Sequence, residues 1–445
     1  MLGAGITGLS AAYALSNKGH CVTVFESNSQ LGGAMSTISK QGYLAEYGPN
    51  SIMLGDARIV ELFDNLGLTD RMIKADHSSA KRFIIKNGKP LAMPYSLASL
   101  LLNKALTFPA LLRLAREPFI SRSPDLENQS FADYVRHRLG KKLLDYGAGP
   151  FVNGIYAGDP EKLHFRLAFP RMYKVVDDHR SLLLGILKSK RLPADPNKLT
   201  KKEIVSFKNG TQELPAAFEK KLTELGCDIL TEVSNSKIES ISDNRWKYSY
   251  QHANSDHQQE FDQVIVTIPA HRLYTIQFPE KINLEHTKNI YHPPVASLLL
   301  GYKRSDVTHP LNGFGMLASL PEKTDILGAL FTSTLFPNNN RAPAGHVAIN
   351  VMLGGSRNPE MASLPESEMI ATAHREITNV LGITGQPVFH HLTSWKKAIP
   401  QVNLGHEKVL TELENIESEN PGLTFAGNYR GGISVGDCLI NGMNL

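Results

Sequence analysis

Cysteine is scarce in this sequence: Cys21, Cys227 and Cys438 stand far apart in 445 residues and are odd in number. Such spacing offers neither a disulfide framework nor a thiolate metal cluster, and a reducing compartment is the simpler reading. No stretch of about 18 uncharged apolar residues is present to span a bilayer, and no basic start followed by an apolar core marks a secretory signal. Any membrane contact is therefore expected to be peripheral. Runs of lysine and arginine are missing too, so nothing speaks for a nucleic-acid partner, and there is no internal repeat or low-complexity tract. What remains is ordinary for a globular chain, 42% apolar and long enough for one large core or several coupled ones. The formal charge of +4 is mildly basic and suits an anionic substrate or an anionic membrane surface.

The chain opens on Met1-Leu2 and runs straight into GAGITGLSAAYAL, a glycine turn followed by a helical pattern with small and apolar residues on one face. A turn of this kind normally follows about five β-forming residues, so the sequence is read as starting inside its first strand. Cys21-Val-Thr-Val-Phe25 then supplies a second strand, closing a βαβ unit with Glu26 at its end. Gly3, Gly5 and Gly8 form G-x-G-x-x-G, in which one glycine permits the tight turn, one the close approach of a pyrophosphate, and one close helix–strand packing. The motif alone is weak. Glu26 strengthens it, because a carboxylate about 20 residues on is placed to accept hydrogen bonds from an adenosine ribose. The bland alternative is a glycine turn with a surface acid.

Leu31-Gly32-Gly33 lacks the side chains that would keep a backbone away from phosphates, although a lone Gly-Gly pair is usually just a turn. Near the other end, Gly427 and the Gly431-Gly432-Ile433-Ser434-Val435 segment precede a helix start whose N–H groups and dipole could face a flavin pyrimidine. Between these ends, leucine-rich segments from about Tyr95 to Arg191 predict a mostly helical insertion. A helix and strands over FKNGTQELPAAFEKKLTELGCDILTEV and Asp262–Pro269 return to the first sheet. The runs VASLLLGYK, ILGALFTST and HVAINVML predict a second sheet that carries the substrate.

Several segments, in order along nearly the whole chain, resemble the protoporphyrinogen oxidase family: ESNSQLGGAMSTISKQGYLAEYGPNSI, FVNGIYAGDPEKL, HRSLLLGIL, NGFGMLASLP, VMLGGSRNPE, AIPQVNLGHE and LTFAGNYRGGISVGDCL. The flavin pieces are shared with amine oxidases and carotene desaturases, whereas YAGDPEKL, HRSLLLGIL and AIPQ-x-x-x-GH are specific to porphyrinogen oxidases. The resemblance implies an α/β fold: a glutathione-reductase-like FAD-binding Rossmann domain (1–52, 203–270 and 389–445), a β-rich substrate domain (53–95 and 271–388) and a helical membrane-associated domain (96–202). It implies FAD contacts at Gly3, Ala4, Gly5, Ile6, Thr7, Gly8, Glu26, Gly33, Gly48, Pro49, Asn50, Ser51, Val233, Trp395, Gly427, Ile433, Ser434 and Val435. Val233 is expected to offer backbone amide groups to the adenine edge and Trp395 to wall the isoalloxazine, though a core aromatic is as good a reading of Trp395 alone.

For the substrate, the resemblance implies a flat slot with Gly154 in its lining and Leu317, Leu330 and Met352 in apolar contact with the macrocycle. Met352 stands where plant relatives are expected to have an aromatic. The family's propionate-binding arginine corresponds to Ala98, and Lys104, Arg113 or Tyr95 is considered as its substitute, with a solvated helix residue the more natural reading of Lys104. His179-Arg180 reads as a cap or structural pair. No general base is assigned, because hydride loss from a bridging methylene to flavin N5 needs positioning more than a tuned side chain. The implied reaction is oxidation of protoporphyrinogen IX, with molecular oxygen as acceptor. Coproporphyrinogen oxidation and a flavin-binding protein without turnover are the alternatives. Peripheral membrane contact, a homodimer, and a cytoplasmic location on the inner face of the cell membrane (the mitochondrial inner membrane in a eukaryote) complete the expectation.

Overall fold

A computed structural model describes residues 1–94, 107–123, 125–189, 197–242, 245–337 and 341–445. Lys104, Ala98 and Tyr95 lie outside the described residues.

Five parallel segments form the sheet of the nucleotide-binding half. Their spatial order is Asp228–Leu230, Thr23–Phe25, Leu2, Val264–Val266 and Leu423–Phe425. The first strand is reduced to Leu2, yet that residue bridges both neighbours: its N–H donates to Ile265 at 2.8 Å, and Gly3 N–H donates to Phe25 at 2.8 Å. The chain leaves Leu2 to one side for its second and third strands and returns on the other for its fourth and fifth, so the glycine turn sits at the topological switch point, where α/β sheets open a crevice.

Helix Ile6–Asn17 begins at Gly5 and buries Leu9, Ala11 and Ala12 completely. The small residues permit close packing. A Cβ on Gly8 would strike the Gly3 carbonyl and Thr267 Oγ1, and one on Gly442 would meet Ser10 Cβ at 2.8 Å. Ser10 Oγ also donates to Leu439 O at 2.7 Å, fastening the last helix, Val435–Met443, to the first. Residues 52–74 join this half as well. Strands Ile52–Asp56 and Met72–Lys74 flank Lys198–Phe207, and Ile52, Leu54, Leu62 and Phe63 pack with Val205 and Phe207. Of the expected 53–95 substrate segment, only Phe83–Lys86 and Lys89–Ala92 enter the large sheet.

That sheet has seven strands in the order Phe389–Trp395, Val295–Lys303, His346–Gly354, Ile326–Leu330, Gly315–Ala318, Phe83–Lys86 and Lys89–Ala92. Alternation gives it two faces. Leu298, Leu300, Met316, Ala329, Val351 and Leu353 pack beneath helix Glu366–Leu381 through Met369, Ala373 and Ile377. The opposite face is covered at one end by the hairpin Thr37–Lys40/Tyr43–Glu46, whose Tyr43 ring stacks on Phe389 at 4.4 Å and 10°. Helix Gly149–Tyr156 meets the face at Leu317, where Gly154 lies against it, and Ser297, Leu330 and Met352 remain partly exposed.

Within the stretch read as a helical insertion, helices Phe108–Ala115, Phe131–Arg138, Gly149–Tyr156, Pro170–His179 and Leu182–Ser189 gather around Phe131, Tyr134, Val152 and Phe165, whereas residues 198–202, counted with it in 96–202, belong to strand Lys198–Phe207. Its ion pair Glu117–Arg138, at 3.4 Å, is almost wholly buried. Glu117 also accepts from Ser181 Oγ and, at 3.0 Å, from Leu182 N–H, so it caps the helix of HRSLLLGIL. Arg180 turns the chain between helices at φ +57°, and its carbonyl accepts from Arg138. The HRS element is thus a structural turn.

Candidate active site

Each nucleotide-site residue of the first half follows the carboxyl end of a parallel strand. Gly3 to Gly8 follow Leu2, Glu26 follows Phe25, Val233 comes just after Leu230, and Gly427 follows Phe425. Gly3 turns at φ +105° with Ile268 against it, and Thr267 Oγ1 donates to its carbonyl at 2.8 Å. Gly5 is different. Its backbone is ordinary (φ −68°, ψ 173°), and a Cβ there would meet nothing within 4 Å. The space before Gly5 is therefore an open cradle, fronted by the first-turn amides at Ile6 and Thr7, as a phosphate site requires. Ala4 N–H does not face it, because it donates to Glu26 Oε2 at 2.8 Å. Gly32 pairs with Gly5, its N–H donating to Ala4 O at 2.8 Å, and a Cβ on Gly33 would lie 3.5 Å from Gly5 Cα. The Leu31-Gly32-Gly33 turn thus forms the second wall of the cradle.

Glu26 is 7% exposed. Its Oε1 accepts from the backbone and side-chain amides of Asn28 at 2.9 and 2.8 Å, while Oε2 accepts only from Ala4, leaving a lone pair of the kind a ribose hydroxyl needs. Val233 N–H is engaged by the Glu26 carbonyl at 2.9 Å, so an adenine edge would meet the Val233 carbonyl rather than both of its backbone groups.

The residues expected at the isoalloxazine gather from three directions. Gly48 packs where a Cβ would lie 2.6 Å from Ala34 O, and Asn50 Nδ2 donates to Gly48 O at 3.3 Å, shaping the turn Gly48-Pro49-Asn50-Ser51. Trp395 closes on that turn, its Nε1–H donating to Tyr47 O at 2.8 Å. Gly427, Gly431 and Gly432 take φ of +146°, +90° and +128°, carrying the chain through Ile433 to helix Val435–Met443. Ser434 and Asp437 form a capping box there. It satisfies the amide of Asp437 and leaves those of Val435 and Gly436 for a ligand, although the Asp437 carboxylate offsets part of the positive helix end. Thr7 meets Cys438, whose thiol burial pushes up to about 11, so this cysteine is an inert packing group.

The residues expected to bind substrate also come together. A Cβ on Gly154 would lie 2.8 Å from Leu317 Cδ2. Register then aligns Leu317, Gly328, Met352, Ser297 and Thr393 in one cross-strand row, with Leu330 and Asn350 in the next and Trp395 at the flavin end. All lie on the face opposite the helix-covered core. Ser297, Asn350 and Thr393 were not anticipated, although a lone serine in VASLLLGYK and a lone asparagine in HVAINVML are visible breaks in apolar strands. Arg113 is not at the slot. Its NH2 donates to His137 O at 2.6 Å within the helical segment.

His271 and His292 meet edge to face at 4.8 Å. Burial, followed by the neighbouring His292, holds His271 down to about 4, and burial lowers His292 too, so the pair stays neutral near pH 7. Among the described residues no cluster of side chains could hold a metal ion. A cavity of about 570 Å³ lined by Tyr13, Arg58, Glu61 and Met443 includes none of these groups and has no convergent chemistry.

A family model described as flavin containing amine oxidoreductase matches residues 6–444. The chain belongs to the flavin-containing amine oxidoreductase family. FAD is the cofactor that this family and the dinucleotide cradle require. The mitochondrial protoporphyrinogen oxidase of Nicotiana tabacum is 30% identical over 471 residues, which span 100% of this chain and 93% of that protein. The coproporphyrinogen III oxidase of Bacillus subtilis (strain 168) is 27% identical over 461 residues, spanning 99% and 95%. Among solved structures, an Exiguobacterium sp. 255-15 protein provisionally named a protoporphyrinogen oxidase superposes with a TM-score of 0.80 at 20% identity, over 100% of this chain and 96% of that one. Reduced UDP-galactopyranose mutase reaches 0.72 at 15%, over 99% and 91%. At these identities the structures show the fold: a mixed α/β flavin amine oxidase architecture with a Rossmann-like FAD domain.

Proposed function

We propose that this flavin oxidoreductase converts protoporphyrinogen IX to protoporphyrin IX, with oxygen taking the electrons. The observation that carries the reading is the sheet face on which register brings together Leu317, Met352 and Leu330, with Gly154 against Leu317, and which we read as the wall of an apolar slot leading to Trp395 and the turn at Gly48. FAD, when bound, supplies the hydride acceptor. The chain's own residues bind and orient. Gly5 leaves room for the pyrophosphate, Glu26 holds the ribose, Trp395 walls the ring, and the amides of Val435 and Gly436 favour negative charge at its pyrimidine edge. Gly48 to Ser51 and Ile433 to Val435 complete the contacts. No side chain is assigned as a general base.

The strand order about Leu2 supports a glutathione-reductase-like label for the nucleotide half, and the three long-range returns support a discontinuous domain division. For the helical segment we propose lipid contact on the inner face of a membrane. Phe108, Leu112, Phe119, Phe151, Ile155 and Leu187 are exposed on it, Phe119 at 89%, and no helix among the described residues is long and apolar enough to cross. Phe151 and Ile155 flank Gly154, so the apolar surface runs up to the slot.

Coproporphyrinogen III is the second reading, favoured by the full-length Bacillus relative. Anaerobic mixing of FAD-loaded protein with each porphyrinogen separates the two. Flavin bleaching, followed by porphyrin fluorescence when air is admitted, is expected with protoporphyrinogen faster than with coproporphyrinogen. The reverse order establishes the second reading, and a flavin that neither substrate reduces sinks both.

A further inference from the structure

Between Trp395 and the apolar contacts Met352 and Leu330, the slot face carries three polar side chains: Ser297, Asn350 and Thr393. Ser297 stands between Met352 and Thr393 in one cross-strand row, and Asn350 lies beside Leu330 in the next. Ser297 is the half-exposed position of Val295–Lys303, every other residue before the terminal lysine being buried. Its Oγ–H donates to Asn350 Oδ1 at 3.0 Å. Asn350 itself is 2% exposed, and its Nδ2, like Thr393 Oγ1, has no partner among the described residues.

Unpaired polar atoms are costly in an apolar face, which makes this patch a ligand feature rather than packing. The pair also has a direction. Asn350 is fixed within a central strand and takes the serine hydrogen, so what Ser297 turns toward the slot is oxygen lone pairs: it is an acceptor there, not a donor. In a porphyrinogen every pyrrole nitrogen carries hydrogen, whereas the porphyrin has lost half of those hydrogens and presents bare imine nitrogens instead. An acceptor-only oxygen therefore favours the reduced macrocycle, which offers a donor at every nitrogen, over its product, which offers half as many, whereas a freely rotating hydroxyl would also donate to the imine nitrogens of the porphyrin.

We infer that Ser297, oriented by Asn350, accepts a pyrrole N–H of the bound porphyrinogen and selects the reduced ring over the porphyrin. This rests on the porphyrinogen reading given above. Ser297 is then a specificity residue touching substrate, and Asn350 a positioning residue that acts through it. The unpartnered hydroxyl of Thr393, opposite Ser297 in register, lies on the same side of the slot.

The test is steady-state oxidation of protoporphyrinogen by the FAD-loaded full chain, with protoporphyrin as inhibitor, for wild type, Ser297→Ala and Asn350→Leu. Urea unfolding and the flavin-to-protein absorbance ratio monitor fold and cofactor. Ser297→Ala is expected to raise KM about fivefold, the scale of one neutral hydrogen bond, with kcat and flavin content unchanged. Asn350→Leu keeps the serine oxygen but frees its hydrogen, so the protoporphyrin Ki is expected to fall about threefold. A folded, flavin-loaded Ser297→Ala with wild-type KM overturns the inference, as does a folded Asn350→Leu that binds porphyrin no tighter. If wild type oxidises no porphyrinogen, the parent reading fails, and this one with it. An active wild type with an indifferent Ser297→Ala defeats this inference alone.

Discussion

Trp395 Nε1–H donates to the carbonyl oxygen of Tyr47 at 2.8 Å, joining the last strand of the substrate sheet to the turn that begins at Gly48. The indole edge thus holds the turn, and its face is the one proposed to bound the flavin. Trp395→Phe keeps an aromatic wall and removes the donor. Loss of one such bond is worth about 1 kcal/mol, so a Tm decrease of only about 1 °C is expected in a chain of this length, together with flavin loss on desalting several times faster than in wild type. A variant that keeps flavin as wild type does would show that Trp395 only closes the sheet edge.

Two glycines of one motif should fail for different reasons. Gly5 has φ −68° and open space where a side chain would project, so Gly5→Val is expected to fold with near wild-type stability and purify without flavin. Gly8 has the Gly3 carbonyl and Thr267 against it, so Gly8→Val must push the helix from the sheet, at a cost of about 1–3 kcal/mol or more. Thermal melts of both apoproteins, with absorbance at 450 nm, separate these outcomes. A fully flavinylated Gly5→Val would mean that the pyrophosphate lies elsewhere.

The contrast also marks what the sequence discloses. Gly3, Gly5, Gly8, Gly33 and Glu26 could be read directly, because each residue type is dictated by backbone geometry or by one ligand group within a short segment. The strands that carry Leu330 and Met352 were legible as β-like runs, whereas the strand Gly315–Ala318 that carries Leu317 was not. What was hidden is pairing across distance. Nothing local tells Ile52–Asp56 that its partner is Lys198–Phe207, and that pairing is what draws residues 52–74 into the nucleotide half. Ser297 and Asn350 share a hydrogen bond only because two antiparallel strands fix their register. Arg113, by contrast, was considered for a charge it could in principle neutralise, and the fold commits it to His137 O instead.

The buried pair Glu46–Arg341 is another such contact, at 3.2 Å with both side chains 3% exposed. Burial pushes the Glu46 carboxyl above its ordinary range, while Arg341, Thr37 and Thr211 pull it back. Arg341→Met strands the carboxylate and is expected to destabilise the protein by about 3–5 kcal/mol at pH 8. An acid whose folded pKa is raised binds its proton more tightly when folded, so its burden on stability eases as pH falls through that pKa. The difference between Arg341→Met and wild type should therefore shrink from pH 8 to pH 5 in urea unfolding. A difference independent of pH would show that the loss is one of packing. The double variant Glu46→Gln/Arg341→Met should recover much of the stability at pH 8.

Wild type itself should respond to acid with the opposite sign. His164, His292 and His406 are 1%, 7% and 5% exposed, and burial is the largest influence on each, lowering all three below the ordinary histidine range. A histidine whose folded pKa is depressed binds its proton less tightly in the folded than in the unfolded chain, so stability is full above the unfolded value, near 6.5, and declines as pH drops below it. His164 adds a local counterweight, since Glu407 lies 3.6 Å away and favours the charged ring, yet desolvation is the larger effect. The Tm is expected to be flat from pH 8 to 7 and to fall progressively toward pH 5. In His164→Gln the slope below pH 6.5 should be shallower than in wild type, because one proton-linked group has been removed. Unfolding of wild type that is no easier at pH 5 than at pH 7 would mean that these rings are already charged in the folded protein, with Glu407 outweighing burial at His164.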